Sequence, residues 1–155
     1  MPDHESAPEY ESEPPAAEAD TGSVDWGVKT HQQIDAGLCG VVTHRAPGEA
    51  TVVLVTTDAM VADARGLVHG GFVFGAADYA AMVAVNDPHV VLGAAETRFT
   101  APVRAGDAVV CKASVETEKG RKRSVHVDCT VRERRVLQGR FTTFVLDHHV
   151  LDQNR

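Results

Sequence analysis

The chain has 155 residues, 43% of them apolar, and a formal net charge of −7: a one-domain length with enough material for a buried core. Residues 1–26 hold eight of the 22 acidic residues and no Lys or Arg, so the remainder is nearly neutral and offers no basic footprint for nucleic acid. No run of about 18 or more uninterrupted apolar residues is present, and acids stand where a secretory signal carries basic and then apolar residues, so the expectation is a cytoplasmic protein without a membrane span.

Residues 1–26 read as a disordered acidic tail, a solubilising leader. Pro2, Pro8, Pro14 and Pro15 stand among the acids, and few large apolar groups are present to offset the entropy of ordering. Residues 27–150 read as one domain. Thr30 to Ala36 is a candidate short helix or turn and Cys39 to Arg45 a first strand. Ala46-Pro47-Gly48 is a turn, Thr51 to Val55 a β-branched strand and Thr57 to Val68 a loop. His69 to Asn86 is a long apolar segment of helical length, stopped by Asp87-Pro88.

Behind it the period changes to two. Ala95, Thr97, Phe99 and Ala101 alternate with Glu96, Arg98 and Thr100; Val109, Cys111, Ala113 and Val115 alternate with Lys112, Ser114 and Glu116. Val125, Val127, Cys129 and Val131 then alternate with polar residues, and Arg140 to Leu146 is apolar on both faces. Hairpin turns are predicted at Lys119 to Lys122 and near Glu133 to Leu137. The three cysteines, Cys39, Cys111 and Cys129, are far apart without metal-ligand spacing, and each reads as a small buried apolar residue.

Two strands, one long helix and four strands joined by short turns give an α+β class, an antiparallel five- to six-stranded sheet wrapped around one central helix. A sheet covers one side of such a helix. A helix apolar nearly all round needs a second cover, either another protein surface or a greasy ligand, and a twofold homodimer is the first expectation.

Asp78 stands in the middle of this helix. Its neighbours Ala76, Ala77, Tyr79, Ala80, Ala81 and Met82 leave it no polar face, and Phe74, Gly75, Ala81 and Met82, three and four positions away, supply no cation. A carboxylate buried without such a partner has a raised pKa, as a general base near neutral pH requires. At the helix entrance, Gly70-Gly71 leaves backbone N–H groups unpaired and free of a Cβ, a place for a developing oxyanion. Gly71 and Asp78 are separated by about 10 Å along the axis at 1.5 Å per residue. Two antiparallel copies of the helix would set the glycine end of one beside Asp78 of the other, giving two composite sites per dimer.

At "HGGFVFGAAD" the sequence resembles the hotdog-fold thioesterases, in the branch of phenylacetate-pathway and small acyl-CoA thioesterases, with support over about residues 31 to 147 from "TRFTAPVRAGDAVV" and "EKGRKRSVHVDCTV". The resemblance implies a hotdog fold, dimers that pair into tetramers, and hydrolysis of an acyl-CoA thioester with no metal or organic cofactor, coenzyme A being part of the substrate. It implies Asp78 as base or nucleophile, Gly70 N–H as the donor to the thioester carbonyl, with Gly71 beside it, and His69 as a positioner of water or the loop. Family members often carry Asn where this chain has Asp63; an ionised Asp only accepts hydrogen bonds, and if it faced the site two carboxylates would share it. Given the resemblance, Arg121, Lys122 and Arg123, within the run Lys119 to Arg123, are candidate contacts for the CoA phosphates, followed by Arg98 and Arg104. Phe72 and Tyr79 are core or substrate-tunnel lining. Two other readings stand beside hydrolysis: an acyl-CoA binding or sensing module without turnover, and a hotdog hydratase or dehydratase built on Asp63 and His69.

Overall fold

The computed structural model describes residues 24–154. A one-turn helix α1 (Ala36–Cys39) precedes strands β1 (Val41–Ala46) and β2 (Glu49–Val55). Helix α2 (Gly70–Val85) follows, and then β3 (Val90–Phe99), β4 (Ala108–Lys119), β5 (Lys122–Val131) and β6 (Arg134–Val145). The strands form one antiparallel sheet in the order β1-β2-β4-β5-β6-β3, and α2 lies across it: the hotdog arrangement.

The period-two pattern explains the core. Ala50, Val52 and Leu54 on β2, Val109, Cys111 and Ala113 on β4, and Val125, Val127 and Cys129 on β5 all point at α2 and are buried. The helix answers with small side chains, Ala76, Ala77, Ala80, Ala81 and Ala84, spaced by Val73, Met82 and Val83, so the sheet approaches closely. Each fully buried Val or Leu contributes about 1.5–3 kcal/mol. Asn86 closes α2 in the left-handed region at φ 53, its N–H returning to the Met82 carbonyl, and Asp87-Pro88 turns the chain into β3. Among the described residues no helix is long and apolar enough to cross a membrane.

Several elements differ from the sequence expectations. The short helix is at Ala36–Cys39 rather than Thr30 to Ala36, because Asp35 is its cap and accepts the Leu38 N–H at 3.2 Å. The first strand starts after Gly40, at Val41. The last hairpin turns at Arg132 and Glu133, both at positive φ, so Val136 and Leu137 are buried strand residues and not turn. On β3, Ala94, Ala95, Glu96, Arg98 and Phe99 are exposed and Thr97 is half-buried, since this is an edge strand that α2 covers only at its start. The acidic tail lies outside the described residues as far as residue 23. At its end, the Trp26 ring meets His44 edge-on at 5.7 Å, and its carbonyl accepts from Arg45.

β6 lies close against β3 at Gly139. A Cβ on Gly139 would sit 2.7 Å from the Glu96 carbonyl oxygen and 2.7 Å from Thr97 Cγ2. Gly139→Ala is therefore expected to destabilise the fold by about 1–3 kcal/mol, read as a lower urea midpoint; an unchanged midpoint would contradict this packing.

Candidate active site

The entrance of α2 is held from outside. Val61 bridges Val68 and Leu67 bridges Arg104, the Val68 N–H donates to the Val103 carbonyl at 2.8 Å, and the His69 N–H donates to the Met60 carbonyl at 2.9 Å. His69 is the N-cap residue in extended conformation, φ −63 and ψ 129, and its side chain makes no capping bond. Its carbonyl accepts the Phe72 N–H at 3.1 Å. The N–H groups of Gly70 and Gly71 find no acceptor among the described residues, as the first turn of a helix dictates. Beside them opens an apolar cleft of about 460 Å³ lined by Leu67, Gly70, Val73, Phe99, Pro102 and Val136 among others. Gly70 thus borders a greasy hollow.

Asp78 lies eight residues on, about 12 Å along the axis. The sheet leaves one stripe of α2 uncovered: Gly71 is exposed, Gly75 and Asp78 are half-buried, and the space beside Gly75 is open. Within this stripe the Asp78 carboxyl is sunk so that its Oδ1 is buried with no hydrogen-bond partner. Burial without a partner pushes its pKa from 3.8 up to about 6. The same burial raises the thiol of Cys39, on which Asp35 and then Asp78 act further. Asp78 thus carries a carboxyl of raised pKa, separated from the amide donors of its own helix.

The remaining expected residues fall into three groups. Tyr79 is buried, its ring 6.2 Å from that of His31, and Phe72 packs edge-on against His69 at 6.1 Å; both are packing residues of α2. Asp63 is exposed, and its Oδ1 accepts the N–H groups of Arg65 at 2.9 Å and Leu67 at 3.2 Å. It organises the loop ahead of the helix and lines, with Arg65 and Arg104, a hollow that adjoins the cleft and shares Leu67 and Pro102 with it. No hydrogen bond joins it to His69 among the described residues, so the acid–histidine pair of a hydratase does not form within the chain.

Of the basic hairpin, Arg121 is paired with Asp147, and Arg123 with Glu118 at 2.7 Å; Lys119 and Lys122 have no ion pair among the described residues. Lys122 is opposite Phe144, next to the start of β3, so the hairpin sits at the carboxyl end of α2, away from Gly70. Arg98 lies on the outer face of the sheet with Gln138 and Arg140, away from the cleft.

Phe99 ends β3 on the face that looks towards α2, opposite the buried Leu137. Its ring stands over Gly70, where a Cβ would lie 3.2 Å from Phe99 Cε1, and 55% of the residue is exposed. Together with Pro102 and Val136 it makes the cleft wall. Its alternation with Arg98 sets it on the helix-facing side, and its exposure follows from its place at the end of an edge strand.

Residues 65–138 match the family described as the Thioesterase superfamily. Among solved structures, an uncharacterised protein from Pyrococcus horikoshii is 50% identical, with 81% of this chain and 96% of that one covered and a TM-score of 0.80. A mutant of the phenylacetic acid degradation protein PaaI from Thermus thermophilus is 29% identical, covers 70% of this chain and 95% of its own, and has a TM-score of 0.65. Among curated relatives, a methylthioribose-1-phosphate isomerase of Aquifex aeolicus is 48% identical over 121 residues, which are 77% of this chain and 26% of that protein. The transcription factor FapR of Caldanaerobacter subterraneus is 30% identical over 95 residues, 61% of this chain and 48% of that one. This chain spans about a quarter and about half of those two proteins, so their names describe longer chains.

The buried carboxyl carries a stability signature. A carboxyl whose folded pKa is raised favours folding most when protonated, so its contribution is complete below pH 3.8 and is lost as pH climbs through about 6. Asp78→Asn, which never ionises, is expected to match the parent near pH 4 and to exceed its stability by up to about 2 kcal/mol at pH 7. Thermal unfolding across that range checks this; equal curves at both ends would mean that Asp78 is fully solvated.

Proposed function

This chain belongs to the thioesterase superfamily, and from that premise we propose that it hydrolyses the thioester of a small or medium acyl- or aryl-CoA. Asp78 takes a proton from water, whose oxygen attacks the thioester carbonyl, or attacks that carbon directly to give an anhydride that water then opens. The Gly70 N–H of a second subunit stabilises the oxyanion. On either route the C–S bond breaks as that oxyanion collapses, before water arrives in the anhydride case. The sulfur takes a proton that comes from water, so the products are a carboxylic acid and the CoA thiol. The reaction consumes only water and calls for no metal or organic cofactor. The observation that carries this reading is the unpartnered, buried Asp78 oxygen on the one uncovered stripe of a helix whose amino end offers two free N–H groups.

A homodimer supplies the missing geometry. With two copies of α2 antiparallel about a twofold axis, the carboxyl end of the partner helix comes to the amino end of this one. Asp78 of that copy then approaches Gly70, and its basic hairpin approaches the same cleft. Lys119 and Lys122, free of ion pairs among the described residues, are the hairpin's contacts for CoA phosphates; Arg121 and Arg123 must first leave their carboxylates. The exposed β3 edge, with unpaired backbone groups from Ala94 to Phe99, is the surface that meets the second copy, and pairing of dimers into tetramers belongs to the same reading. The cleft of about 460 Å³ takes an apolar acyl or aryl group.

A second reading, an acyl-CoA sensor without turnover, is favoured by the relative named as a transcription factor, whose matched part is this domain. Tight acyl-CoA binding by calorimetry with no thiol release would select it.

Three outcomes are expected in a thiol-release assay over an acyl-CoA panel. Asp78→Asn loses about 10²–10⁴-fold in kcat. Gly70→Pro removes the donor at the one helical position that tolerates proline, after a His69 already extended at φ −63 and ψ 129, and loses about 10²–10³-fold with the helix intact. In the parent, kcat/KM rises with pH to a plateau through an apparent pKa near 6. An Asp78→Asn variant as active as the parent would overturn the mechanism.

A further inference from the structure

Cys111 and Cys129 play no part in the site above. Their 18-residue separation reads as two isolated buried thiols, but the sheet makes them cross-strand partners, register neighbours on β4 and β5 with both side chains fully buried and their Sγ atoms 2.9 Å apart. Directly opposed strand residues have Cα atoms roughly 4.5–5.5 Å apart. That span lies inside the roughly 4.4–6.8 Å that a disulfide bridges. An S–S bond measures about 2.05 Å, so the sulfurs need to approach by about 0.9 Å, which side-chain rotation supplies without moving a strand.

We propose that Cys111 and Cys129 are an oxidative modification site at which hydrogen peroxide closes an intrachain disulfide between β4 and β5. One sulfur attacks a peroxide oxygen; the O–O bond breaks, the sulfur becomes a sulfenic acid and the first water leaves. The second sulfur then displaces the sulfenic hydroxyl, forming S–S and breaking S–O, and the second water leaves with its thiol proton. Two thiols give up two electrons and one peroxide becomes two waters. The hydrogen bond to Cys111 and then burial hold the Cys129 thiol strongly in its protonated form, so the reaction runs only as fast as the sheet opens. Once formed, the bond ties together two strands that lie directly beneath α2 and restricts the unfolded chain.

The test uses a Cys39→Ala chain, which keeps only the pair. After treatment with hydrogen peroxide the protein is denatured, alkylated and weighed intact. The expected product carries no alkyl group, has lost the mass of two hydrogens, unfolds at a higher temperature than the untreated chain, and returns to two alkylated cysteines after reduction. Adding Cys111→Ala or, independently, Cys129→Ala is expected to abolish the mass loss. Two alkylated cysteines after oxidant, oxygen added without coupling, or a disulfide between chains would each overturn the proposal.

Discussion

One sheet can cover only one side of a helix. Here six strands bury Val73, the alanines and Met82 of α2 and leave uncovered the stripe from Gly71 through Gly75 to Asp78. On that stripe one oxygen of the Asp78 carboxyl is still sunk out of water, and no side chain binds it. The Asp78 oxygen is thus held out of water without compensation, and its proton affinity rises to about 6 as a consequence. A chain selected only for stability would place Ala or Leu there. The carboxyl is tolerated because, protonated or facing a ligand, it is not a buried charge.

Under the proposed mechanism the same geometry leaves a single chain incomplete. The free amides of Gly70 and Gly71 and the carboxyl of Asp78 are about 10–12 Å apart on one rigid rod, too far to act on one carbonyl. The bridge of Val61 with Val68 and the His69 bond to Met60 fix the amide end, while Asp63, by binding the Arg65 and Leu67 N–H groups, shapes the loop that leads into it. The basic hairpin stands at the opposite end of the helix, and β3 presents an unpaired edge. In the proposed dimer the same twofold operation satisfies each of these features.

Much of this was legible in the sequence. The long helix followed from an apolar run stopped by Asn86-Asp87-Pro88, the strands from their period of two, and Asp78 from the lack of any polar face around it. What stayed hidden depended on spatial context. The alternation on β3 shows two faces but not that the strand is an edge, which leaves Phe99 on the helix-facing side and yet exposed. The charged run Arg132 to Arg135 conceals a two-residue turn, because positive φ at Arg132 and Glu133 has no glycine to announce it. The cysteine pair was invisible for a sharper reason. Counted from the hairpin at Gly120 and Arg121, Cys111 would face Thr130, and only the register shift between Val115 and Thr117 brings it opposite Cys129.

The composite site is tested most directly by a purified heterodimer of one Asp78→Asn subunit and one Gly70→Pro subunit, each in its own homodimer nearly inactive. If each site takes its carboxylate from one chain and its amide from the other, the mixed dimer contains one intact site and recovers about half the parent turnover per dimer. If both groups act within one chain, every site in the mixed dimer is damaged. A heterodimer as inactive as the two homodimers would contradict the account.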